Sequence, residues 1–211
     1  MAGPGAHGEA AVHGAAAHAH HDPNIGTTGL DNRKVGMWIF LGSDCMFFGS
    51  LIGTYLSYKG KSLGGPTPAE VFNIPLTSYS AALLLFSSLT MVLALDALKA
   101  NRIKASAWWL FATAMAGLHF VLNQVYEFAE FVLHYGLTLH TSLFGSSFFV
   151  LTGFHGAHVT GGVIWLLIWV GLAMRGKLDP RDYTKVEVAG LYWHFVDIVW
   201  IAIFTIIYLI P

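Results

Sequence analysis

Between Ser142 and Val170 the chain runs without one Asp, Glu, Lys or Arg, yet it carries His155 and His158 near the middle of the stretch. About 20 apolar residues span the hydrocarbon of a bilayer. An ionisable side chain at that depth is costly and normally has a partner or a task. Three residues apart on a helix, the two imidazoles share a face with Leu151, Thr152 and Gly162, whereas Gly153, Ala157 and Gly161 repeat every four residues on roughly the opposite side. A stripe of small residues lets a second helix come close. Both faces of this segment are therefore expected to meet protein.

The same logic extends along the chain. Charged residues make up 11% of it, against the roughly 25% usual in soluble domains, and 55% is hydrophobic. Apolar segments at about 35–58, 76–98, 105–132, 142–173 and 186–210 predict an all-α bundle of five transmembrane helices occupying residues 34–211. A loop with Gly64, Gly65, Pro66 and Pro68 separates the first two. Residues 1–33 hold His7, His13, His18, His20 and His21 and few large apolar groups, so they are expected to form a disordered or extended tail; lacking an apolar core, they are not expected to be a cleaved leader. A net charge of -1 with no basic tract argues against nucleic acid as a partner. The single cysteine, Cys45, excludes an internal disulfide.

Orientation follows from the cations. Arg33, Lys34, Lys99, Arg102, Lys104, Arg175, Lys177, Arg181 and Lys185 flank one side of the expected membrane, and only Lys59 and Lys61 the other. The positive-inside rule then places the N-terminus in the cytoplasm and the C-terminus outside. Trp38, Trp108, Trp109 and Trp193 fall near the cytoplasmic ends, where an interfacial aromatic belt is expected.

At 1.5 Å per residue, Asp44 in the first span, His155 and His158 in the fourth, and Asp197 in the fifth lie at similar depth, with His194 three residues before Asp197. Asp facing lipid at a span centre costs roughly 2.5 to 3.5 kcal/mol. These five residues are therefore expected to form one internal polar layer, hydrogen-bonded directly or through water. In the third span His119, Asn123, Glu127, Glu130 and His134 recur at steps of four, four, three and four, a stripe expected to face water and headgroups at the outer end. Gly49 and Gly53, in register with Cys45, join Gly153, Ala157 and Gly161 as expected helix-packing positions. The second span, charged only at Asp96, reads as an ordinary lipid- and protein-facing helix.

Three chemistries suit the polar layer. Structural hydrogen bonds between helices contribute roughly 0.6 to 2 kcal/mol per contact. A proton relay needs a continuous chain of titratable groups. A metal site built on His155-x-x-His158 or Glu127-x-x-Glu130 is weaker, because those pairs lie on different helices at different depths. The residues alone leave these open, and no catalytic residue or metal ligand is assigned. A stand-alone transporter of protons or metal cations is the alternative function; no internal proline breaks a span and no inverted repeat supports it.

Four motifs converge on one family. GMWIFLGSDCMFFGSLIGTYL from Gly36, QVYEF from Gln124, FGSSFFVLTGFHGAHVTGG from Phe144 and YWHFVDIVWIAIF from Tyr192 resemble subunit III of the haem-copper terminal oxidases, the cytochrome c and quinol oxidases. The five-span count is similar to the shorter bacterial form of that subunit. The resemblance implies a non-redox subunit in the bacterial inner membrane. It would brace subunit I directly, lie in one complex with subunit II and a small subunit IV, and support proton uptake by an enzyme that reduces oxygen to water. It further implies that haem and copper reside in the partner subunits and none in this chain, with bound lipid as an option. The family has an acidic residue in the first motif, usually Glu, that reacts with hydrophobic carbodiimide, and Asp44 stands at the matching position. Asp44→Asn is expected to leave the complex assembled and to change carbodiimide labelling of this chain; unchanged labelling would place the reactive carboxyl elsewhere.

Overall fold

A computed structural model describes residues 31–59, 74–134, 136 and 143–210. Among them the chain is all-α, as the sequence implies: α1 Asn32–Tyr58, α2 Ile74–Lys99, α3 Ile103–His134, α4 Leu143–Met174 and α5 Tyr183–Phe204, the last extended by a π-helical turn over Thr205–Leu209. Five helices are long and apolar enough to cross a membrane. α3, with 32 residues, measures about 48 Å, longer than the hydrocarbon is thick, so it must tilt or project.

The helix ends have local causes. α1 starts at Asn32 because the Asp31 carboxylate accepts the Arg33 N–H at 2.8 Å, which makes Arg33 helical instead of the end of a tail. The rest of the expected tail, residues 1–30, and the loop at 64–68 lie outside the described residues. α2 turns into α3 through Asn101, whose φ of 57° brings the Arg102 N–H to the Ala97 carbonyl at 2.8 Å; Asn is the non-glycine residue that best tolerates that conformation. α5 begins earlier than position 186 because a capped 3₁₀ turn over Pro180–Asp182 feeds straight into it.

In cross-section α2, α3, α4 and α5 form a four-helix arrangement in which consecutive helices pack side by side, α5 closes back on α2, and α3 lies diagonally opposite α5. α1 packs against α4 and α5 from outside. α5 is the most enclosed helix and α1 the least. The diagonal is bridged by Trp193, which is fully buried. A Cβ at Gly162 on α4 would lie 2.9 Å from its indole, and one at Gly117 on α3 closer still. Its N–H donates to Ser87 Oγ on α2 at 2.8 Å. One side chain thus ties α5 to three other helices. The expectation of an interfacial Trp193 is overturned; Trp38, Trp108 and Trp109 are exposed.

The packing glycines also differ from those expected. Gly49, Gly53 and Gly153 have nothing within 4 Å of a built Cβ, and Gly161 has only the Tyr192 hydroxyl at 3.8 Å. Gly49, Gly53, Ala157 and Gly161 are exposed. α1 turns inward the face carrying Leu41, Phe48 and Tyr55, because large apolar side chains gain more by burial than glycines do. Within this chain the close approaches fall at Gly117, Gly156, Gly162 and Gly190. Spacing identifies a small-residue face without saying which way that face is turned.

Gly117→Leu is expected to lower the stability of the detergent-solubilised chain by about 1 to 3 kcal/mol through overpacking, read as a lower thermal midpoint, whereas Gly49→Ala should be neutral or slightly stabilising. Equal effects would contradict the packing described.

Candidate functional site

The five residues expected in one polar layer separate into two groups with an aromatic wall between them. At the α1–α4 contact, His158 Nε2 lies 3.4 Å from Asp44 Oδ2, an ion-pair contact without hydrogen-bond geometry. His158 Nδ1 faces the Phe154 carbonyl at 2.8 Å, which assigns the N–H to that nitrogen. Nε2 is then the ring nitrogen that faces Asp44.

His155, on the same helix, points the other way and is fully buried. Its ring stacks on Trp200 with centroids 4.9 Å apart and meets Phe120 and Phe48 edge-on at 5.7 and 6.4 Å. Nε2 faces the Val196 carbonyl at 3.3 Å, which makes it the N–H donor, while Nδ1 has no hydrogen-bond partner. This box suits a neutral imidazole. The 100° advance per residue that sets two positions three apart on neighbouring faces sends His158 to α1 and His155 to α5.

The second group lies between α2 and α5. Ser88 Oγ donates to Asp197 Oδ2 and lies 2.9 Å from His194 Nδ1, which must then supply an N–H to it. The order His–Ser–Asp is not that of a nucleophilic triad, since the hydroxyl proton is directed to the carboxylate and not to the imidazole. Nearby, Thr90 and Thr113 share a hydrogen bond of 2.7 Å between α2 and α3. No direct hydrogen bond links this group to Asp44 and His158.

Nearer the other end of the same helices, Glu127 is buried and does not face water and headgroups as expected. Thr77 Oγ1 donates to one carboxylate oxygen at 2.7 Å, and the Tyr208 hydroxyl lies 3.4 Å from the other. Asn123 donates to Ser80 Oγ at 2.8 Å and to His119 Nε2 at 3.0 Å. Gln124 donates to the Thr152 carbonyl at 2.6 Å, holding α3 to α4. Glu130 is half-buried and His134 exposed, so the stripe turns from the bundle interior to its surface along its length.

The missed residues are the hydroxyls of α2. Thr77, Ser80, Ser87 and Thr90, all buried, repeat at three, seven and three, one helical face that reads as polar only if Ser and Thr are counted. They receive or supply the protons of Glu127, Asn123, Trp193 and Thr113. Among the described residues no three His, Cys, Asp or Glu side chains gather where they could hold one metal ion. Among the described residues the geometry is one of hydrogen bonds between helices.

Comparison with known proteins points the same way as the motifs. The family model described as cytochrome c oxidase subunit III matches residues 9–210. Cytochrome c oxidase subunit 3 of Alkalihalophilus pseudofirmus is 40% identical over 89% of this chain and 91% of its own length. The subunit of the same name from Bacillus sp. PS3 is 42% identical over 84% and 86%, and quinol oxidase subunit 3 of Bacillus subtilis is 41% identical over 83% and 85%.

Thr77→Val is expected to cost about 1 to 3 kcal/mol, since it removes a donor from a buried carboxylate, whereas Glu130→Gln should stay within about 0.5 kcal/mol. Denaturant titration of both variants checks this, and a Thr77→Val midpoint equal to that of Glu130→Gln would contradict it.

Proposed function

The chain belongs to the cytochrome c oxidase subunit III family, and from that membership we propose what it does within the oxidase. It is a multi-pass membrane protein and the third subunit of a haem-copper terminal oxidase, a multisubunit enzyme. The stand-alone transporter is not favoured. Our reading is that this subunit performs no redox step. It braces subunit I by direct contact, shares the complex with subunit II and a small subunit IV, and supports proton uptake for oxygen reduction. Haem and copper belong to the partners.

The observation that carries this reading is the closure of the buried polar groups on one another. Asp44 meets His158, Ser88 joins His194 to Asp197, and Glu127 is held by Thr77 and Tyr208. Side chains paired in this way between helices support rigidity. The weak enclosure of α1 supports the second half of the reading: its outward face, with Met46 81% exposed, is available to a partner helix or to lipid. We place the chain in a bacterial inner membrane with the N-terminus in the cytoplasm, on the strength of nine cations against two on its two sides.

Mild detergent extraction through a tag on this chain is expected to recover a larger haem-bearing protein in fixed ratio, read from the haem absorbance per chain. A haem-free chain that conducts protons or metal ions in liposomes would overturn the proposal.

A further inference from the structure

On the outer surface of the α2–α3 pair, polar side chains lie well inside the hydrocarbon. With 26 residues, α2 is about 39 Å long. A core of about 30 Å centred on it begins near Thr77 and ends near Asp96. Asp96 and Arg102 meet at that far boundary with both side chains exposed. Asn123 of α3 donates to Ser80, which places it about 5 Å inside the boundary at the Ile74 end. His119, one turn along α3 toward the other end, lies about 6 Å deeper.

Asn123 commits both of its amide N–H groups, one to Ser80 Oγ at 2.8 Å and one to His119 Nε2 at 3.0 Å. The His119 N–H is therefore on Nδ1. That donor and the Asn123 Oδ1 acceptor have no hydrogen-bond partner among the described residues; both sit on half-buried side chains and, unlike the enclosed unpaired atoms of the bundle, keep accessible surface. They belong to two side chains already bonded to each other, so they lie within the span of one headgroup. Turning the amide over exchanges the roles and still leaves one donor and one acceptor. A hydrocarbon chain satisfies neither, and an ester or ketone only the donor. A hydroxylated head satisfies both, accepting from one side chain and donating to the other.

Three features narrow the class of ligand. Charged headgroups stay at the boundary, so a head at this depth is neutral. Close helix contacts need small residues, whereas this surface shows Tyr79, Phe86, Leu122 and Tyr126, each more than half exposed, which suits a flat head better than a helix. Tyr79 meets His119 edge-on at 5.8 Å, and Tyr126 follows Asn123 by three residues, so aromatic rings flank the polar pair and favour an aromatic head. We propose that this surface binds a quinol, a neutral hydroxylated ring with an apolar tail. A hydroxyl oxygen accepts from His119 Nδ1, a hydroxyl proton is donated to Asn123 Oδ1, the ring lies between Tyr79 and Tyr126, and the tail runs past Phe86. The site needs no partner subunit and does not rest on the role in the oxidase proposed above.

Native membranes containing the chain are photolabelled with an azide-tagged long-chain quinol, and labelled peptides of this chain are mapped by mass spectrometry, whether or not a haem protein accompanies it. Adducts are expected within residues 79–86 or 119–126. Unlabelled quinol should remove them at a concentration about tenfold lower than its dimethyl ether, which has the same ring and no O–H. A long-chain aliphatic alcohol at the same concentrations should leave them in place. His119→Phe, which keeps a ring and removes the N–H, should lower the labelling about fivefold. Equal competition by the dimethyl ether would remove the hydrogen bond to Asn123 and overturn the proposal; equal competition by the aliphatic alcohol would remove the ring and do the same. So would adducts no denser than at exposed Ile198, or labelling unchanged in His119→Phe.

Discussion

Trp193 can occupy the diagonal of the bundle only because α3 and α4 present glycine to it. Gly117 and Gly162 leave no room for a side chain. An indole in that position buries a large apolar area, but its N–H must find an acceptor, and Ser87 on α2 provides one. That requirement fixes the rotation of four helices at once. α2 must turn its hydroxyl face inward, and with Ser87 come Thr77, Ser80 and Thr90; α3 turns in Gly117, and with it Gln124 and Glu127. The polar pairs elsewhere in the bundle follow from this one constraint on rotation.

A lipid environment explains why these polar side chains turn toward one another. In water, an unpaired serine or glutamate on a helix surface costs little; in hydrocarbon each needs a partner or must face the interior. Here the partners come from different helices, so each hydrogen bond also fixes a helix contact. Thr77 and Tyr208 hold α2 and the end of α5 to Glu127 of α3, and Ser88 holds α2 to α5. The ion-pair contact of Asp44 with His158 joins α1, the least enclosed helix, to α4. A support subunit of a terminal oxidase needs such a frame, because its use to the complex lies in keeping one shape during turnover.

Much of this was legible in the sequence, and the rest failed for definable reasons. Span number and class follow from hydropathy, which acts residue by residue and needs no knowledge of neighbours. The pairing of Asp44 with His158 was within reach because depth can be counted along a helix. Helix rotation is different: it is decided by contacts among helices. Hence Gly49, Gly53, Ala157 and Gly161, expected at helix contacts, are exposed, and half-buried Gly153 has no neighbour within 4 Å of a built Cβ. Trp193 was assigned to an interface on depth alone, when two glycines on other helices drew it inside. The α2 hydroxyls went unnoticed because Ser and Thr score as nearly neutral on hydropathy scales, and because their partners, Glu127 and Trp193, lie in distant parts of the chain.

The central claim is that the polar face of α3 is turned into the bundle. A nitroxide scan along residues 120–133, read as accessibility to dissolved oxygen in the bilayer, tests it directly. The account gives minima at Phe120, Gln124, Glu127 and Phe131, which are buried, and maxima at Leu122, Val125, Ala129 and Leu133, which are exposed. A profile with the opposite phase, in which the label at position 127 meets oxygen as freely as that at 125, would contradict it.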